Sequence, residues 1–426
     1  MTTKRKIVVA LLLLFTVSAA GSTALLAYQA KKMVHLMDLN NSGTLEFYEV
    51  GPLIREKFAQ FDKDGDTKLS QMEVTRYVLS GLVQGLSNSI KDKGPQIVSA
   101  SDVVSLKDLQ AALNEMVVAL ELPGATFVAG KNGKELVRFS NGTINPETVV
   151  PIASASKWLS AATVILSAES AGFTMDQELQ EFMPDLPSHW GGVTWEQLLS
   201  HTSGAAEGHA VEYSPQGAYA NQFFELIRQP VQDLPGASFS YGGVSMQVAG
   251  FALEQTMRRP WSSLFHEFVA GPLGMHDTFY GHPMWDKKDA EIGTPNIAGG
   301  VHSNADDYFK FLSALFPSSL RNKSLLTAKL IKRIESDMTS SLPQAFRPPV
   351  VSDSWSYGLG MWCERRLDGA CMTVNSAGGF GTFPWIDRTT GSYGVLVTVG
   401  SGKDVLPHAI HIRSLFETFL EVEERK

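Results

Sequence analysis

The stretch PIASASKWLS, residues 151–160, places Ser154 three residues before Lys157, at the start of an alanine-rich apolar segment that ends at Gly172. The length and composition of this segment predict a buried helix, on which residues three apart share a face. A serine hydroxyl becomes a strong nucleophile when a neighbouring base takes its proton, and a lysine one turn away can do this. Chance gives a chain of this length about one or two such tetrads, so the spacing alone leaves an accidental pair open.

The composition is that of a globular protein with a substantial core, since 44% of the 426 residues are hydrophobic and 19% are charged. The length predicts about two to three domains. The formal net charge is -8, whereas nucleic-acid-binding proteins usually carry a basic face. We therefore expect no nucleic-acid partner.

The N-terminus has the pattern of a targeting segment. Basic residues at positions 4–6 precede an uncharged apolar run over residues 7–28, and small residues at 18–20 suit cleavage of a secretory signal. The run is also long enough to span a bilayer as a retained membrane anchor. Both interpretations predict a secreted or membrane-anchored, extracytoplasmic protein. A mitochondrial targeting segment is a third alternative, because no acidic residue precedes Asp38.

Two tandem stretches that begin at Asp38 and Asp62 resemble calcium-binding EF-hand loops. Such a loop supplies oxygen ligands at positions 1, 3, 5, 7 and 12, with a glycine at position 6. The second loop has Thr67 in place of this glycine, which predicts a strained or weaker site. We expect Ca²⁺ to bind as a structural staple rather than as a signal. The predicted ligands are Asp38, Asn40, Ser42, Thr44 and Glu49 in the first loop, and Asp62, Asp64, Asp66, Lys68 (through its carbonyl) and Glu73 in the second.

The two cysteines, Cys363 and Cys371, lie on either side of an Asp368-Gly369 turn signal. The runs 357–364 and 370–374 predict the two strands of a hairpin, which would set the sulfurs across from each other. In an oxidising compartment a disulfide follows. Two buried free thiols remain the alternative, because the sequence does not fix the register.

Strand patterns occur at both ends of the region from Leu106 onward, and helical patterns lie between them. This order predicts an α+β domain in which one antiparallel sheet is formed from both ends of the chain, flanked by helices and carrying a helical insert. The predicted EF-hand pair is a small all-α unit. The expected divisions are a signal or anchor at 1–30, the EF-hand pair at 31–80, a linker at 81–105 and a catalytic domain at 106–426.

Seven segments of the large domain resemble, in the same order, the serine β-lactamase-like superfamily, which includes class C β-lactamases, DD-peptidases and family VIII esterases. The resemblance extends from about Leu106 to Glu421, about three quarters of the chain, and seven ordered matches are far more specific than the Ser-x-x-Lys tetrad alone. The segments are PIASASKW (151–158), VTWEQLLSHTSG (193–204), LPGASFSYGGVSMQVAGFALE (234–254), VAGPLGMHDT (269–278), IAGGVHSNADDYFKFL (297–312), YGLGM (357–361) and SAGGFGTFPWID (376–387).

The resemblance implies a role for each matching residue. Ser154 would attack an acyl carbonyl and form an acyl-enzyme, while Lys157 and Tyr241 would move its proton. The backbone N–H groups of Ser154 and Gly379 would bind the oxyanion. No cofactor is implied for catalysis. The positions that would face the substrate are Gly243, Ser376 and Gly378.

Two departures from the family pattern bear on the substrate. The second motif, usually Tyr-x-Asn, ends here in Gly243, and the third, usually Lys-Thr-Gly or His-Thr-Gly, begins with Ser376. The missing cation argues against substrates held by a carboxylate. We therefore expect an esterase or amidase that acts on a small-molecule or short-peptide acyl substrate. The alternatives are a β-lactamase or DD-peptidase, and a non-catalytic binding or scaffold protein that retains the fold. His201 and Gly204 are expected to shape a loop, and Trp362 to form core or cleft wall.

Overall fold

The computed structural model describes residues 45–46, 68–70, 73, 104–206, 219–282, 285–288, 294–316 and 325–424. The chain divides into two compact units, Met1–Lys93 and Gly94–Lys426. The apolar run at 7–28, predicted to be a signal or an anchor, lies outside the described residues. In the part of the chain that is described, no helix combines the length and the apolar character needed to cross a membrane.

The described part of the first unit is a short antiparallel ladder between the two predicted calcium-binding loops. Strand β1 (Leu45–Glu46) pairs with strand β2 (Lys68–Leu69), and Leu45 lies opposite Leu69. These leucines occupy the same position in the two loops, directly after the predicted carbonyl ligand. This ladder departs from the all-α description of the unit. The predicted ligands Asp38, Asn40, Ser42, Thr44, Glu49, Asp62, Asp64 and Asp66 lie outside the described residues.

A seven-stranded antiparallel sheet forms the centre of the second unit. Strands from the two ends of the unit lie side by side in it, paired from Ala125 with Thr398 to Lys131 with Ser392, as predicted. In order across the sheet, the strands are β11 (Ser356–Tyr357), β12 (Trp362–Leu367), β13 (Ala370–Asn375), β14 (Phe383–Asp387), β15 (Ser392–Thr398), β3 (Gly124–Lys131) and β4 (Lys134–Gly142).

Helices cover both faces of this sheet, because alternate residues of its central strands point to opposite sides. On one face, Phe127 and Trp385 stack at 5.5 Å and pack with helices α1 (Leu106–Ala119) and α10 (Gly402–Glu424). On the other face, Val128 and Val395 pack in a core with helices α2 (Ser156–Ala171), α5 (Val244–Met257) and α8 (Ala305–Ala314). The predicted α+β class is therefore confirmed.

Smaller elements complete the unit. Strand β5 (Val150–Pro151) pairs with β9 (Val301–Ser303), which also pairs with β7 (Phe279–His282), and β7 pairs with β8 (Trp285–Lys288). Strand β6 (Phe239–Ser240) pairs in parallel with β10 (Gln344–Phe346). Further helices are α3 (Trp195–Leu199), α4 (Tyr219–Ile227), α6 (Trp261–Phe265), α7 (Gly271–Leu273) and α9 (Ala328–Ile334). Short 3-10 turns span Ala153–Ala155, Leu179–Glu181 and Ser188–Trp190, and a π-helical turn spans His266–Ala270.

The predicted hairpin and disulfide are confirmed. Cys363 and Cys371 are bonded to each other, with their Cα atoms 5.3 Å apart, and Asp368 and Gly369 form the turn with φ angles of 51° and 77°. The first strand is shorter than predicted. The chain reverses between β11 and β12 because Gly360 adopts a φ of 83° and packs against helix α2, where a Cβ would lie 2.6 Å from the Lys157 carbonyl oxygen.

Candidate active site

Ser154 lies in a tightly held turn at the start of helix α2. Strand β5 leads into the turn, and the Ile152 N–H donates to the Val301 carbonyl at 3.0 Å. The Ser156 hydroxyl donates to the Ala153 carbonyl at 2.6 Å and accepts the Val301 N–H at 3.0 Å. Ala153 itself has a φ of 47°, in the left-handed region that alanine rarely adopts. The local fold thus fixes the serine at the mouth of a helix whose residues 156–168 are all buried.

Lys157 is buried beneath the Ser154 hydroxyl, with only 4% of its surface exposed. Its Nζ donates to Ser154 Oγ at 3.1 Å and to the Ala298 carbonyl at 3.0 Å. The same atom lies 4.8 Å from the centroid of the Tyr241 ring. Among the described acidic residues, none forms an ion pair with this amine. The three predicted catalytic side chains therefore meet at one point, with the lysine between the serine and the tyrosine.

Tyr241 follows strand β6 and is held by aromatic neighbours. Its N–H donates to the Phe346 carbonyl at 3.0 Å, which attaches it to strand β10. Its ring stacks on Trp362 at 5.0 Å and contacts His201 at 4.9 Å, with Tyr357 edge-on at 5.7 Å. Only 9% of the tyrosine is exposed. These contacts restrict the ring to one orientation over the lysine amine.

The third motif, at residues 376–378, lies against the turn that carries Ser154. Ser376 is buried and donates its hydroxyl to the Ser154 carbonyl at 3.0 Å. Gly378 passes so close to the turn that a Cβ would lie 2.2 Å from the Ile152 carbonyl oxygen. Gly379 is exposed, and a Cβ there would find only the Ala153 Cβ, at 3.9 Å. The loop thus brings Gly379, the predicted oxyanion donor, near Ala153, which directly precedes Ser154.

The predicted substrate-facing positions differ from the catalytic ones in character. Gly243 is buried and precedes helix α5, where its carbonyl accepts the Gln247 N–H at 2.9 Å. Ser376 and Gly378 are also buried and contact the backbone of the nucleophile turn. Gly378 therefore contacts the turn through its backbone and Ser376 through its hydroxyl, whereas Gly243 begins helix α5.

Sequence reasoning missed several neighbours of the catalytic cluster. His201 was expected only to shape a loop, and Trp362 to be core or wall, yet both rings contact Tyr241. The motifs Ser-His-Thr-Ser-Gly (200–204) and Tyr-Gly-Leu-Gly (357–360) were the available signals for His201 and Tyr357. Ala298 acts through its carbonyl, so its side chain gave no signal.

Comparison with known proteins identifies the class that this fold and cluster define. A family model described as Beta-lactamase matches residues 109–415, which is most of the chain. The chain therefore belongs to the Beta-lactamase family, in agreement with the resemblance in the sequence. A beta-lactamase homologue of Bacteroides dorei has a similar solved structure, with a TM-score of 0.65 and 24% identity, covering 75% of this chain and 99% of the other.

Two curated relatives match over part of their length. Protein Rv1367c of Mycobacterium tuberculosis is 26% identical over 246 residues, which are 50% of this chain and 60% of the relative. D-alanyl-D-alanine-carboxypeptidase/endopeptidase AmpH of Escherichia coli is 22% identical over 263 residues, which are 56% of this chain and 66% of the relative. The chain thus spans less than two thirds of these relatives.

Proposed function

We propose that the protein is a serine hydrolase, an esterase or amidase that acts through an acyl-enzyme on Ser154. The observation that carries this proposal is the 3.1 Å hydrogen bond between Lys157 Nζ and Ser154 Oγ, made by a buried amine that lies against the Tyr241 ring. An amine within hydrogen-bond distance of a serine hydroxyl is placed to take the proton of that hydroxyl as the oxygen attacks.

In this mechanism, Lys157 accepts the Ser154 proton as the serine oxygen attacks the acyl carbonyl. The resulting oxyanion accepts hydrogen bonds from the N–H groups of Ser154 and Gly379, each of which typically contributes about 3–4 kcal/mol to the transition state. The Tyr241 hydroxyl then passes the proton from Lys157 to the leaving group. Water completes the cycle by hydrolysing the acyl-enzyme, with the same groups acting in reverse.

The substrate is proposed to lack the carboxylate that β-lactams and terminal D-alanyl peptides share. The position that usually carries a lysine or histidine is Ser376, whose hydroxyl is engaged with the Ser154 carbonyl. Removing a cation from a carboxylate site leaves the anion without its partner, and such pairs are the strong ones in recognition. Neutral acyl esters and amides therefore fit best.

The similarity to AmpH, a D-alanyl-D-alanine-carboxypeptidase/endopeptidase, supports a second candidate, a DD-peptidase. This candidate requires that another group replaces the missing cation. Covalent labelling of Ser154 by a penicillin, detected as an increase in intact mass, would favour it over the esterase.

We also propose that the N-terminal unit binds Ca²⁺ through the ten ligands predicted from the sequence. The β1–β2 ladder supports this, because it joins the two loops at equivalent positions, Leu45 and Leu69. Glu73 is buried, and its carboxylate accepts hydrogen bonds from the N–H and hydroxyl of Ser70 at 2.9 and 2.7 Å. The disulfide and the N-terminal targeting pattern support an extracytoplasmic location.

The hydrolase is tested with short p-nitrophenyl esters and a fluorophosphonate probe. Wild type should turn over the esters and gain the mass of one probe. Ser154→Ala and Lys157→Met should each lower turnover by about a thousandfold or more, since residues that act as a unit fail together. Ser167→Ala is the matched control, because this serine lies in the same helix and has no hydrogen-bond partner within the described structure. If wild type shows neither turnover nor an adduct, the alternative that remains is a non-catalytic binding or scaffold protein that retains the fold.

A further inference from the structure

The His201 side chain is fully buried and has no polar partner within the described part of the chain. It is 1% exposed, and among the described residues neither of its ring nitrogens has a hydrogen-bond partner. Leaving a buried donor or acceptor unsatisfied typically destabilises a protein. An apolar ring of similar size would avoid this loss, so packing alone does not account for a histidine here.

The backbone of His201 carries a second unfavourable feature. Its φ is 57°, in the left-handed region, which few non-glycine residues adopt, although asparagine, aspartate and histidine are enriched there. Its carbonyl accepts the Ser240 N–H at 3.0 Å, directly before Tyr241. Strain of this kind, held in place by its surroundings, is concentrated at functional sites.

The surroundings of the His201 ring indicate its role in the site. It contacts Tyr241 at 4.9 Å, Tyr357 at 5.1 Å and Phe239 at 6.3 Å between ring centroids. Burial, and then the charge of Lys157, holds the pKa of His201 well below its ordinary value. The imidazole is therefore neutral at neutral pH, with one donor nitrogen and one acceptor nitrogen.

We propose that His201 is a positioning residue for Tyr241: its uncharged imidazole packs against the tyrosine ring, holds it over the Lys157 amine, and offers its one N–H to the Tyr241 oxygen while that oxygen gives up its proton. The inference rests on the proposed hydrolase. His201 itself gains no proton, because the Ser154 proton still passes through Lys157 and Tyr241 to the leaving group. A neutral neighbour also avoids a second positive charge beside the lysine when that residue is protonated.

Two substitutions separate positioning from packing. His201→Phe keeps an aromatic ring and removes the unsatisfied nitrogens, but phenylalanine tolerates the left-handed backbone less well than histidine, so the melting temperature should stay within about a few degrees of wild type. It should nevertheless lower kcat by about ten- to a hundredfold, with KM little changed, because the misplaced tyrosine acts only in the chemical step. His201→Asn tolerates the left-handed backbone and keeps an N–H donor but fills less space. It should melt lower than wild type and still be faster than the phenylalanine variant.

The two variants are therefore expected to rank in opposite orders for melting temperature and for kcat. This crossover is the decisive result, since packing alone would rank stability and activity in the same order. The proposal is overturned if His201→Phe keeps the kcat of wild type, or if it is the faster of the two variants. If the phenylalanine variant does not fold, the asparagine variant decides: a kcat within about tenfold of wild type supports the proposal, and a loss beyond about a hundredfold overturns it.

The control and the parent proposal are measured alongside. Ser167→Ala also removes an unpartnered buried polar atom, but at a site without contact to Tyr241, so its kcat should equal that of wild type. If wild type neither turns over esters nor reacts with the fluorophosphonate, the hydrolase proposal itself fails. If wild type is active and only the predicted crossover is missing, the hydrolase proposal is retained and the proposed role of His201 is overturned.

Discussion

Two adjacent glycines of the third motif have different surroundings beside the turn that carries Ser154. Gly378 is pressed against the Ile152 carbonyl, and its N–H donates to the Thr382 carbonyl at 2.7 Å. Gly379 is exposed and has open space where a Cβ would stand. Close approach therefore requires a glycine at position 378, whereas the backbone at position 379 leaves room for a side chain.

Gly378→Ala should displace the loop, because its Cβ would lie 2.2 Å from the Ile152 carbonyl oxygen. We expect a loss of about 1–3 kcal/mol in the free energy of unfolding, as for other overpacked sites. Turnover should fall as the Gly379 amide moves away from Ser154. Gly379→Ala is the matched control and should leave stability close to that of wild type. Denaturant unfolding and ester turnover measure both effects, and equal losses in the two variants would contradict the prediction.

The buried His201 makes stability depend on pH. Because its pKa is depressed below 6.5 in the folded state, the unfolded chain binds a proton that the native protein does not. Above about pH 6.5 neither state binds this proton, so the free energy of unfolding keeps its full value. Below that pH, the free energy of unfolding falls by up to about 1.4 kcal/mol per pH unit. Unfolding free energies should therefore drop more steeply from pH 7 to pH 5 in wild type than in His201→Phe. His408 and His411 titrate in both proteins, so parallel curves would refute the prediction.

At the scale of elements, the hairpin β12–β13 connects the disulfide to the site. Trp362, which stacks on Tyr241, directly precedes Cys363 and pairs with Asn375. The local signals of this hairpin were readable because a turn dipeptide and its flanking strands are close in sequence. The pairing of β6 with β10 was not predicted, because it joins segments about a hundred residues apart through two or three residues each.

The same contrast explains how much of the site could be foreseen. Ser154, Lys157 and Tyr241 lie in motifs with recognisable spacing, and the structure brings them together. The role of Ala298 depends on a carbonyl that any residue has, and the contact of His201 with Tyr241 depends on tertiary packing. Periodicity and motif spacing do not encode such contacts.

Replacing both cysteines, Cys363→Ala with Cys371→Ala, should lower the free energy of unfolding by about 2–3 kcal/mol, the chain-entropy value for so short a loop. Ester turnover, measured well below the melting temperature, should stay close to that of wild type, since the strand pairing of the hairpin remains. Thermal unfolding with and without dithiothreitol measures the effect. The reductant should shift wild type toward the variant and leave the variant itself unchanged; a shift in both proteins would contradict the assignment.

At the scale of the whole molecule, the proposed calcium unit and the hydrolase are separate compact units. If calcium is a structural staple, chelation by EDTA should lower the melting temperature of the N-terminal unit, because bound metal contributes directly to folding free energy. Ester turnover at 25 °C should stay within about twofold. Calorimetry of the full chain, with calcium restored as the control, checks this expectation. A large change in turnover at a temperature where both units are folded would instead indicate a calcium sensor.

The adjacency of β3 and β15 has a consequence for synthesis on the ribosome. Strand β3 emerges early, but its partner β15 follows more than 250 residues later. At ordinary elongation rates, this interval is on the order of tens of seconds. Throughout that time the edge of β3 and the apolar helix α2 have no completed sheet to cover them, and such exposed surface is prone to aggregate. A premature stop between residues 387 and 392 would therefore yield a chain that carries every proposed catalytic side chain and cannot close its central sheet.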